Sequence, residues 1–180
     1  MKQLTKKLPG LTLIELLVSV ALLAVIVLST ANIFRAVLNN QRQSGLNQGL
    51  EDEASYFLEV LTREARSAQK SVADDCGVPT GHLFAINPAG DQLDFKNEAG
   101  DCVSYYVADD NGHARLRIDR GSASDFITSY RYQVVALHFV LSDDLSLSQP
   151  LLTVNLQLAP ASLPTAVFSI QTSVSPRYYE

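Results

Sequence analysis

The sequence predicts an α+β chain, in which one long N-terminal helix packs on an antiparallel β-sheet. Three observations predict it. An apolar run of membrane-spanning length follows three lysines near the start. Helical periodicity then continues, with no proline between Leu11 and Val78. From residue 82 the apolar residues recur with a period of two, the spacing of half-buried strands.

A chain of 180 residues holds one modest domain plus appendages. Acids outnumber bases, 19 Asp and Glu against 14 Lys and Arg, for a net charge of −5. Lys2, Lys6 and Lys7 lie ahead of the apolar run, so the remainder is more acidic than the whole. That balance disfavours nonspecific nucleic-acid binding, which needs surplus cations to displace phosphate counterions.

Residues 1–10, MKQLTKKLPG, are polar and basic. Positive flanks stay in the cytoplasm, so the expected orientation is N-in, with the bulk of the chain translocated. Residues 16–34 are free of charge and close to the ~20 residues that span a bilayer as a helix. A cleaved secretory signal would end in a small-residue site after the apolar run. Here Gly10 precedes the run, and no A-x-A-like site follows it. A plain signal anchor fits everything except Glu15, because a carboxylate within a span is costly and usually marks a function.

The residues Gly10-Leu11-Thr12-Leu13-Ile14-Glu15 resemble the class III signal of type IV prepilins, G-[F/L/M]-[T/S]-L-[I/V]-E. The resemblance implies that residues 1–10 are a leader removed by cleavage between Gly10 and Leu11. It also implies that the same prepilin peptidase methylates the new amine of Leu11. Residues 11–34 then form the transmembrane and filament-core helix, and Glu15 is a subunit-pairing carboxylate. Phe is the commonest residue after the cut, and Leu11 is a mild departure from it. The implied partners are the peptidase/methylase, other pilins or pseudopilins, and an inner-membrane assembly platform. The physics is compatible with that role for Glu15. In low dielectric, a carboxylate paired with a neighbouring subunit's amine specifies register, because misdocking leaves both charges unpaired.

Residues 35–70 are expected to continue the helix as an amphipathic half. The polar stretch 39–49, with Gly45 and Gly49, is the expected place to bend or fray. Beyond it Leu50, Ala54, Phe57, Leu58, Leu61, Ala65 and Ala68 mark one apolar stripe. Residues 57–69 also resemble the segment after the anchor in minor pilins of the PilW kind and in J-type pseudopilins. Arg63 and Arg66 there are either docking residues or, as is commoner, a solvated helix face. The absence of a kinking proline near Asn32 points to a minor member of that family.

Residues 71–180 are expected to form a β-rich periplasmic domain. Strands are expected near 83–86, 92–95, 102–107, 114–118, 131–141, 151–158 and 166–174. Asn111-Gly112 is a hairpin signal, and Asp143-Asp144 marks another turn. Cys76 and Cys102 are the only cysteines, an even number in a translocated segment, which suggests a disulfide. Free thiols and a metal pair are the alternatives; no C-x-x-C or neighbouring His pair favours metal.

No catalytic constellation is legible, no cofactor is implied, and no metal site is expected. His82, His113 and His138 are dispersed, and no G-x-S-x-G elbow occurs. Asp109-Asp110-Asn111-Gly112 lacks the further acids of a calcium loop. Arg115 and Arg117 share a strand face opposite Leu116 and Ile118. They are either a solvated face or a contact for DNA or an acidic partner. The sequence therefore reads as a minor pilin or pseudopilin precursor of a type IV pilus or type II secretion system. A pilus-tip receptor or adhesin is the alternative.

Overall fold

The computed structural model describes residues 12–142 and 150–177. Gly10, Leu11 and the Asp143-Asp144 turn lie outside them. The chain divides into two units after Gly45. In the first unit every described residue from 12 to 41 is exposed.

Helix α1, Leu13–Arg66, is one unbroken assignment. It crosses the Gly-containing stretch expected to bend or fray. Gly49 has a packing reason to be glycine: a Cβ there would stand 2.0 Å from the hydroxyl of Tyr132. The helix ends at Arg66, four residues short of the expected limit. There the backbone leaves the helix to pair with the sheet, Gln69 N–H donating to the Lys96 carbonyl at 2.9 Å.

Within the second unit all seven residues of the expected stripe are buried. Phe57 meets Tyr105 edge-on at 6.0 Å, and Tyr105 stacks on Phe95. These rings, with Leu61, Leu93 and Leu116, form the centre of the core.

The strands are antiparallel and fall into two sheets rather than one. The first joins β1 (Phe84–Ile86), β2 (Leu93–Lys96), β3 (Cys102–Asp110), β4 (His113–Arg120) and β5 (Ala123–Phe126), in that order. The second joins β6 (Tyr132–Ser142), β7 (Leu151–Pro160) and β8 (Phe168–Val174). Strand β5 was not expected. Its sequence, ASDF, shows no apolar alternation, and it is held by pairing with β4. Asn111 and Gly112 both adopt positive φ and close the β3–β4 hairpin as a two-residue turn. In β7 the alternation holds from Leu151 to Leu158, with Leu152, Val154, Leu156 and Leu158 all buried.

Cys76 and Cys102 form a disulfide, which ties the segment after α1 to the first residue of β3. Closing a loop of 26 residues contributes about 3–4 kcal/mol in the chain-entropy description.

Candidate functional site

The N-terminal helix carries the residues singled out first. Thr12 and Glu15 form a reciprocal cap. The Glu15 N–H donates to Thr12 Oγ1 at 3.3 Å. In return the Glu15 carboxylate accepts from the Thr12 N–H at 3.5 Å and from its hydroxyl at 3.4 Å. This is the capping box, a T-x-x-E spacing that satisfies backbone donors at a helix start and places an acid at its positive end. Glu15 thus has a local role that the sequence reading did not assign to it. The signal was present in the spacing, and the same two residues also belong to the prepilin-like motif.

Beyond Glu15 the helix is long and apolar enough to cross a membrane. Its hydroxyls donate within the helix: Ser19 to the Glu15 carbonyl at 2.7 Å, Ser29 to Val25 and Thr30 to Ile26, both at 2.8 Å. A surrounding of lipid or apolar helices therefore meets no orphaned hydroxyl there.

In the second unit two acids of α1 reach partners far along the chain, one in the first sheet and one in the segment between β5 and β6. Glu64 accepts from the Tyr105 hydroxyl at 2.6 Å and from Arg120 Nε at 2.7 Å. Burial, followed by the Glu64 hydrogen bond, raises the Tyr105 phenol well above its ordinary range. Glu53 accepts from the Ser129 backbone N–H. Arg63 pairs with Glu59 at 2.6 Å with both side chains exposed, the ordinary state of an i,i+4 pair on a solvated face. Arg66, Arg177 and Glu98 line a cleft of about 310 Å³ beside them.

Arg115 occupies neither of the positions weighed for it. Its residue is 8% exposed, and its guanidinium is fully engaged inside the fold. Nε donates to the Thr128 carbonyl at 2.8 Å, a second nitrogen reaches the same oxygen, and a third pairs with Asp110. The plane lies over Phe126 at 4.5 Å and Tyr130 at 4.1 Å. Strand alternation separated it correctly from Leu116, but that opposite face is closed by Phe126 and Tyr130. Arg117 is half-buried, with Nε donating to Ser124 Oγ at 2.7 Å and to Asp119 at 3.1 Å. Asp119 is held below the usual carboxylate range: burial opposes the shift, and Ser124, Tyr106 and Arg117 outweigh it.

Asp109 accepts from the Gly112 N–H at 3.2 Å, the work of a hairpin turn. Two of the dispersed histidines, His82 and His138, line one cleft between β1 and β6. Among the described residues no group of three or more His, Cys, Asp or Glu is arranged to hold a metal.

Next to the disulfide, Lys96 pairs with Asp75 at 2.6 Å. The Asp75 carboxyl is lowered from 3.8 to about 2, chiefly by the hydrogen bond from Lys96 and then by that from Ser71. Because the folded value lies below the unfolded one, this contribution is complete above the unfolded value and is lost as pH falls through the folded one. Thermal unfolding of the chain and of Asp75→Asn should therefore differ at pH 6 and converge toward pH 2, about the folded value. A difference that stays constant over that range would contradict the pairing.

The described residues thus define an α+β protein with one N-terminal helix long and apolar enough to span a membrane. Comparison with family models, characterised proteins and solved structures finds no match.

Proposed function

We propose that this chain is a prepilin-like precursor, a minor pilin or pseudopilin that acts by assembly and turns over no substrate. The observation that carries the proposal is the dual use of α1. Its first part is exposed and carries a charge-free, mostly apolar stretch over residues 16–34, and its second part is the spine of the globular core. A simple tether needs no helical continuity with the domain it holds. A subunit that transmits a register from a filament core to its outer domain does. The capped start at Thr12, directly after the Gly10-Leu11 motif, supports the same reading.

In this proposal the leader is removed at Gly10-Leu11, Leu11 is methylated, and the N-terminus is cytoplasmic with the β-rich domain in the periplasm. The peptidase, other pilins or pseudopilins and the inner-membrane platform are the partners. The tip-receptor alternative rested on Arg115 and Arg117, and the burial of Arg115 gives it no support.

Exchanging residues 11–34 for a neutral transmembrane helix of equal length tests the proposal. Membrane anchoring should persist while incorporation into filaments is lost, read by shearing and immunoblotting. Retained incorporation with the neutral anchor would overturn it.

A further inference from the structure

The three-stranded sheet is chemically unlike the rest of the chain. No Asp, Glu, Lys or Arg occurs in β6, β7 or β8. The five-stranded sheet, by contrast, carries Asp94, Lys96, Asp109, Asp110, three arginines and Asp119 of β4, and Asp125. Depletion of charge is the compositional mark of a contact surface, and charged edge residues are the usual defence against unwanted strand pairing.

The four strand edges of the two sheets differ accordingly. β1 has three residues. β5 has four and includes Asp125. β6 has a register shift between Val134 and Ala136, and its Phe139 N–H is already taken by the Gly90 carbonyl at 2.7 Å. β8 has none of these protections. It is seven residues long, FSIQTSV, with no proline, no charge and an unbroken register against β7. Among the described residues no backbone group outside the sheet hydrogen-bonds to it. Its core-facing Phe168 and Ile170 are only partly covered, whereas Leu156 and Leu158 of the neighbouring β7 are buried. A cleft of about 270 Å³ opens at the start of the strand, lined by Asn47, Leu50, Glu51 and Ala166 to Phe168.

We infer that β8 is a strand-addition site, whose occupant is an extended, uncharged segment of a neighbouring subunit with apolar side chains at alternate positions. The outward N–H and C=O groups of β8 supply the main-chain bonds. Phe168 and Ile170 supply the apolar row that the incoming strand would finish covering. Neutrality matches neutrality: a charged occupant would be desolvated there without a counter-charge in β6, β7 or β8 to pair with it. The inference rests on the proposed function for its occupant, a subunit of the same assembly, but not on leader processing. Strand pairing at β8 is measured on the chain alone, so its failure is distinguishable from a failure of assembly.

The test uses the full-length chain in detergent and a synthetic peptide with the β7 sequence, LLTVNLQL, the one strand whose pairing with β8 is defined. Two forms are made, N-methylated at alternate amides in the two complementary patterns. A strand presents only every second amide to a given neighbour, so edge pairing admits one pattern and rejects the other. At about ten times the dissociation constant of the accepted form, amide exchange within residues 168–174 should slow about tenfold. The rejected form should leave it unchanged. Thr172→Lys, an inward-pointing charge on the edge, should remove the protection while the melting temperature shows that the fold persists. Protection by both patterns, protection elsewhere in the chain, or none with either pattern would overturn the inference, whether or not the Lys variant folds.

Discussion

Arg115→Ala is expected to destabilise the globular unit by about 3–5 kcal/mol, the range for losing charged hydrogen bonds and desolvated cation–π stacking together. The side chain fixes the segment between the two sheets. Thr128, itself buried, accepts from Arg115 through its carbonyl and from the Leu116 N–H through its hydroxyl at 3.0 Å. Removing the guanidinium leaves that buried carbonyl without these donors, opens the space between Phe126 and Tyr130, and strips Asp110 of its cation. Asp110 is held below the usual range first by the Tyr130 hydroxyl and then by Arg115, so part of its environment survives. Arg115→Lys should recover little, since an ammonium cannot make the fork to Thr128 and Asp110 together. Arg117→Ala should cost about 0–1 kcal/mol, as a partly solvated ion pair does. Denaturant titration of the two variants checks this, and equal effects would contradict the placement of Arg115.

Glu15→Leu is expected to abolish filament incorporation while leaving membrane insertion intact. That variant removes both the cap and the proposed pairing charge, so Glu15→Gln separates them. Glutamine at the third helical position still returns a hydrogen bond to the cap, but it carries no charge. If Glu15 acts by pairing with a neighbour's amine, Gln should fail nearly as completely as Leu. If it acts only as a cap, Gln should incorporate almost normally, and Leu should show a loss of about 1 kcal/mol in helix stability. Incorporation measured against a membrane-inserted control distinguishes the two results.

Much of the helix was legible in the sequence because its pattern is local. The seven-residue stripe from Leu50 to Ala68 needed only the 3.6 period, and every member is buried. The Asn111-Gly112 turn and the alternation of β7 were legible for the same reason. Glu53 and Glu64 were not. An acid beside an apolar stripe looks solvated until its partner is known, and their partners lie 76, 41 and 56 residues away. The burial of Arg115 was hidden in the same way, since Phe126 reaches it from the end of the next strand and Thr128 and Tyr130 from beyond it. Turn spacing located strands but did not assign them to sheets, so the division into two sheets and the edge strand β5 became visible only through pairing. At the N-terminus the sequence carried a motif and the structure a cap, and Glu15 belongs to both.

The most direct measurement is mass spectrometry of the N-terminus of the protein purified from cells with an active prepilin peptidase. A chain beginning at Leu11 and carrying one added methyl group is the expected result. A chain that retains Met1, or any species with an intact Gly10–Leu11 bond as the accumulated product, would contradict the proposed function.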